Sequence, residues 1–209
     1  MNQSGRSMVE MLGVLAIIGV LSVGSIAGYS SAMYKYKLNK QSQQLNQIIN
    51  TVARYVYSFN DVAGTLTTSK NYTEILIKLG EVPKEMIKAN DKNKIYDSFN
   101  TGVDFYLYPA DRGQALVHLF PDLTKKSLQN TEICRNILYV LKENSHIISS
   151  VGFVSNYNQD GSKSDHFLGD ASCKSGSVCL NNMTMEQINN ACSNHLNQQS
   201  FWFDVWFKT

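Results

Sequence analysis

Few residues in this chain have types and spacings suited to chemistry. One acid, Glu10, stands at the head of the uncharged apolar run "MLGVLAIIGVLSVGSIAGYSSAMY". A carboxylate in hydrocarbon is costly unless it is paired or kept near the interface, so an acid there points to a function. In "NYNQDGSKSDHF", Asn156, Asn158, Asp160 and Gly161 take the opening positions of an EF-hand-like loop, where alternating oxygens surround a hard cation. The twelfth position is Phe167 where that loop needs a bidentate glutamate, so a plain Asp-Gly turn explains the same residues and no metal is expected. His118, His146, His166 and His195 fall in separate segments, with no HExxH spacing, no GxSxG elbow and no phosphate-cradling glycine loop. The sequence therefore predicts neither an enzyme nor a cofactor.

The cysteines carry the remaining chemistry. Cys134, Cys173, Cys179 and Cys192 all lie in the C-terminal part and include no CxxC pair, which argues against a zinc or thioredoxin-like site. An even set beside an apolar anchor suggests disulfides and an oxidising compartment. Cys173 and Cys179 bracket the short "KSGSV" loop, and a local bridge there would leave Cys134 with Cys192. Four cysteines permit three pairings, and spacing does not choose among them.

The elements that must position these residues begin with the apolar run. From Met11 to Tyr34 no residue is charged, a stretch longer than the ~20 residues a membrane-crossing helix needs. Leu38, Leu45, Ile49, Val52, Val56 and Phe59 then recur at helical spacing, so one helix is expected from about Ser7 to about Phe59, on the order of 80 Å long. Its first part (8–33) would lie in lipid, and its second (34–59) would offer an apolar stripe to a head domain (60–209). Lys35, Lys37 and Lys40 follow the span and by charge counting weakly place the C-terminal side in the cytoplasm, whereas the cysteines argue for the other side.

In the head, "YTEILIKLG" predicts a short helix, while "VDFYLY" and "QALVHLF" predict a hairpin. "TEICRNILYVLKEN" reads as an amphipathic helix, and "HIISSVGFV" as a strand. Thr184 and Gln187 stand at capping-box spacing before a helix holding Cys192. The closing "FWFDVWF" suits a well-covered strand, with Trp202, Asp204 and Trp206 on one face as core or subunit-contact residues. The sum is an α+β fold with an antiparallel sheet packed on the second half of the long helix. Lysines and arginines are scattered and the formal charge is +2, so no nucleic-acid partner is predicted.

The leader "MNQSG", followed by "RSMVE" and the apolar helix, resembles the prepilin peptidase site of the type IV pilin family, which includes the pseudopilins of type II secretion. That resemblance implies the type IV pilin fold. It implies cleavage after Gly5 of a leader spanning residues 1–5, usual methylation of the new terminus at Arg6, and a helix at 6–59. It also implies that Glu10 meets the amino terminus of a neighbouring subunit during assembly, so that two costly charges neutralise each other. The implied partners are further copies of the chain, other pilins, the peptidase, an inner-membrane assembly platform and membrane lipid. The implied location is the inner membrane, single pass with the head in the periplasm, and then an extracellular pilus or a periplasmic pseudopilus. The implied function is a pilus subunit for adhesion, motility or conjugation, or alternatively a pseudopilin or a minor pilin for DNA uptake. The added helices and cysteines resemble type IVb pilins more than the smaller pseudopilins. Arg6 stands where the family commonly has phenylalanine.

Overall fold

The computed structural model describes residues 8–63, 65–109, 115–121, 128–155, 163–196 and 201–207. The chain forms two compact units, Met1–Asn39 and Lys40–Thr209. Helix α1 (Met8–Ala63, 56 residues) supplies the described part of the first and enters the second.

In the first unit the helix exposes nearly every apolar side chain, among them Leu12, Leu15, Ile18, Leu21 and Ile26. By length and composition it can cross a membrane. Two of its hydroxyls are satisfied within the helix, Ser22 Oγ donating to the Ile18 carbonyl at 2.7 Å and Ser25 Oγ to that of Leu21 at 2.7 Å, which lowers the cost of placing them in lipid. Gly13, Gly19, Gly24 and Gly28 have no neighbour within 4 Å of a β-carbon position among the described residues. Nothing within the described chain requires them to be glycine.

The second unit is α+β, with the expected antiparallel sheet. Its strands are β1 (Lys70–Asn71), β2 (Ile95–Tyr96), β3 (Gly102–Leu107), β4 (Ala115–Phe120), β5 (Ile148–Ser155), β6 (Lys163–Leu168) and β7 (Phe201–Phe207). They follow the order β1-β3-β4-β7-β5-β6, with β2 also pairing β3 and every pairing antiparallel. The last strand thus sits in the middle, between strands from far apart in the chain. Alternation explains why: Phe201, Phe203, Val205 and Phe207 are all buried and give β7 a continuous apolar face.

That face packs against helices. Leu45, Ile49, Val52, Val56 and Phe59 of α1 are buried, and the Phe59 ring lies 4.8 Å from Phe105 of β3. Helix α3 (Leu128–Glu143) buries Ile133, Ile137, Leu138 and Leu141. Helix α4 (Met185–His195) begins at a capping box in which Thr184 Oγ1 accepts from the Gln187 amide at 3.2 Å and Gln187 Oε1 from the Thr184 amide at 2.8 Å. A polar seam fixes α1 in the head: buried Gln41 donates to Asp97 Oδ2 at 2.5 Å and accepts from Asn136 of α3 at 2.9 Å. The backbone amides of Phe99 and Thr101 satisfy the other Asp97 oxygen, each at 2.8 Å. Burying such polar groups is tolerable only with partners, which makes the seam a register device for the helix.

The structure extends the sequence reading at several points. Helix α1 continues past Phe59 to Ala63, and α3 begins at Leu128. Helix α2 (Thr73–Lys78) is followed by Gly80 at φ +76, a left-handed position that favours glycine. Strand β6 has no counterpart in the expectations above: its mostly exposed burial pattern leaves no apolar alternation to read. The last strand is fully covered on one face only, since Trp202, Asp204 and Trp206 are half-buried on the other.

Candidate functional site

Glu10 lies exposed in the first described turn of α1. Gly5 and Arg6, the expected processing residues, lie outside the described residues. So do Asn156, Asn158 and Asp160 of the calcium-like loop. Phe167, at the twelfth position of that pattern, is buried in β6, and Asp165 beside it contacts a histidine. No cluster of three or more metal-ligating side chains occurs among the described residues.

The disulfides are Cys134–Cys192 and Cys173–Cys179, with Cα separations of 5.9 and 5.6 Å. The first joins α3 to α4 across 58 residues of sequence and is buried at both ends. The second closes a loop that leaves β6 through Gly169. A β-carbon on Gly169 would stand 1.7 Å from the Ile148 carbonyl oxygen, so only glycine lets this turn approach β5.

Two clusters were missed by the sequence reading. His195 is fully buried at the end of α4, its ring stacked 3.8 Å from that of Phe153. Its Nδ1 lies 3.0 Å from Ser155 Oγ and its Nε2 3.2 Å from Asp165 Oδ2. The set has the composition of a catalytic triad, but Ser155 is as inaccessible as the histidine, so no substrate reaches it. Its work is structural. Burial holds the imidazole below its ordinary range, against the opposing pull of Asp165 and with a smaller push from Lys163.

A pH dependence follows from that direction. With the folded value depressed, the unfolded chain binds a proton the folded chain refuses, so His195 subtracts stability as pH falls through ~6.5 towards the folded value. Asp97 and Asp204, raised by burial, act in the opposite sense: they favour the folded state as pH falls through their raised values towards ~4. Denaturant unfolding should lose up to about 1.4 kcal/mol per pH unit below pH ~6.5, and His195→Gln should flatten that slope. An unchanged slope in the variant would rule this out.

The second cluster lies on the opposite face of the sheet. Strand register sets Asp104 of β3, His118 of β4 and Asp204 of β7 side by side. His118 Nδ1 is 2.9 Å from Asp104 Oδ1, and its Nε2 is 3.4 Å from Asp204 Oδ1. Burial raises the Asp204 carboxyl above its usual range, opposed by His118 and a hydrogen bond from Trp202. The signal was present in the sequence: "GVDFYL", "ALVHLF" and "FWFDVWF" each place one ionisable residue on a face otherwise rich in aromatics. No family model, no curated protein and no solved structure matches this chain.

Proposed function

We propose that this chain is a structural subunit of the type IV pilin class, processed at its N-terminus and polymerised through its long helix into a fibre. The observation that carries this reading is helix α1: an exposed first part, uncharged from Met11 to Tyr34, continues into a second part buried in a disulfide-bonded α+β head. A soluble domain has no use for such an exposed apolar helix, whereas a bilayer followed by a bundle of sister helices covers it on all sides.

Three further features support the same reading. Glycines with open space beside them let neighbouring helix backbones approach closely. Glu10 offers a carboxylate for the amine freed at Arg6 of a neighbouring copy. The two disulfides fit a head that faces an oxidising compartment. The fibre would serve adhesion, motility or conjugation.

Shearing intact cells tests the fibre directly. The chain should appear in the sheared, pelletable fraction and give a ladder of multimers after amine cross-linking. A chain that stays monomeric in both sheared and envelope fractions would contradict the proposal.

A further inference from the structure

We propose that the outer face of strands β4 and β7 is a binding cleft for a neutral pyranose ring of a glycan. Trp202 and Trp206 flank Asp204 on β7, about 13 Å apart along the strand. Each is paired with a second ring: Tyr108 lies 5.4 Å from Trp206, and Phe120 lies 6.5 Å from Trp202. Between these aromatic walls run His118 and Asp204, and the cleft they enclose has a volume of about 380 Å³, in the range of small-ligand sites.

Two independent features show that this cleft is built to receive something. Asp204 Oδ1 is buried without a hydrogen-bond partner among the described residues, the neighbouring His118 nitrogen standing at 3.4 Å. An enclosed acceptor whose nearest donor stands at 3.4 Å is poorly satisfied, and a ligand hydroxyl would satisfy it better once the carboxylate turns towards the cleft. Beside it, β5 places Gly152 directly opposite Asp204, in the interior of a central strand where a side chain would normally stabilise the sheet. A β-carbon there would sit 3.6 Å from that of Asp204, an ordinary contact, so the fold itself accepts a side chain at this position. What glycine preserves is the space above the carboxylate.

The chemistry selects the ligand. Asp104 and Asp204 repel anions. Lys94 already holds its ammonium 4.3 Å over the Phe120 ring, which disfavours a second cation on the same wall. A neutral ring with apolar faces for the indoles and hydroxyl donors at its edge meets both constraints, and this describes a pyranose. The inference does not rest on polymerisation: the cleft lies wholly within the head and would bind in a single chain.

Trp202 and Trp206 are the only tryptophans in the protein, so tryptophan emission, excited selectively over tyrosine, reports on this cleft alone. The full chain in a sugar-free zwitterionic detergent would be titrated with methyl glucopyranoside, methyl mannopyranoside and methyl galactopyranoside, and separately with tetramethylammonium chloride. At least one glycoside should shift the emission saturably, with Kd in the millimolar range. Gly152→Val, which fills the space, and Asp204→Asn, which weakens the acceptor, should each raise that Kd ten-fold or more. If Gly152→Val fails to fold, Asp204→Asn carries the test. No response to any glycoside up to about 100 mM would overturn the inference. So would a response unchanged in the folded variants, or one given by tetramethylammonium alone.

Discussion

Gly5→Val will leave the chain as an uncut precursor held in the membrane, longer than the mature protein by the leader "MNQSG" and absent from fibres. A peptidase must bring its catalytic groups against the scissile bond, and a glycine before that bond offers no side chain to obstruct them, whereas valine adds two methyl groups there. The second half of the same prediction concerns Glu10→Ala. That variant will be cut normally and will still fail to assemble, because the amine at Arg6 then enters an apolar bundle without its carboxylate. Stranding one member of a buried ion pair costs about 3–5 kcal/mol, so incorporation should fall by about 100-fold or more. Immunoblots of membrane and sheared fractions separate the two phenotypes by precursor size. A cut Gly5→Val chain, or normal incorporation of Glu10→Ala, would contradict the proposed roles.

Removing the Cys134–Cys192 bridge will have the largest effect on the stability of the head. Loop-closure entropy for 58 residues of separation gives about 4 kcal/mol, against about 2 kcal/mol for the 6-residue separation of Cys173–Cys179. The difference is widened by location. Cys134 and Cys192 are buried between α3 and α4, so serine at both positions also buries two hydroxyls, whereas the Cys173–Cys179 loop is largely exposed. Chemical unfolding of the two double-serine variants should show the long-range pair costing roughly twice as much as the local one. Equal losses would mean that the long bridge adds nothing beyond a local clip.

The long helix was legible because it needs only local information. The uncharged run, the helical recurrence from Leu45 to Phe59 and the capping spacing of Thr184 and Gln187 are all written within one element. The β3–β4 hairpin and β7 were legible for the same reason, through alternation. Strand β6 was not, since most of it faces solvent and its identity comes from pairing with β5. The two histidine clusters show the limit most clearly. Asp104 and His118 face each other across a predicted hairpin, but Asp204 joins them only because β7 inserts between β4 and β5, a long-range choice that no local pattern encodes. His195 meets Ser155 of β5 and Asp165 of β6 from helix α4, brought there by the burial of that helix. The polar seam around Asp97 was missed likewise, because Gln41 and Asn136 look in sequence like ordinary surface polar residues on helices.

Glu10 could be an anchor at the membrane interface or half of an assembly pair, and the identity of the mature N-terminus decides between them. Intact-mass or N-terminal analysis of the protein taken from its native cells is the most direct measurement. The account predicts a chain that begins at Arg6, retains the whole apolar span and carries its free or methylated amine where a neighbour's Glu10 can reach it. A mature chain that begins at Met1, or one from which the apolar span has been removed, would contradict it.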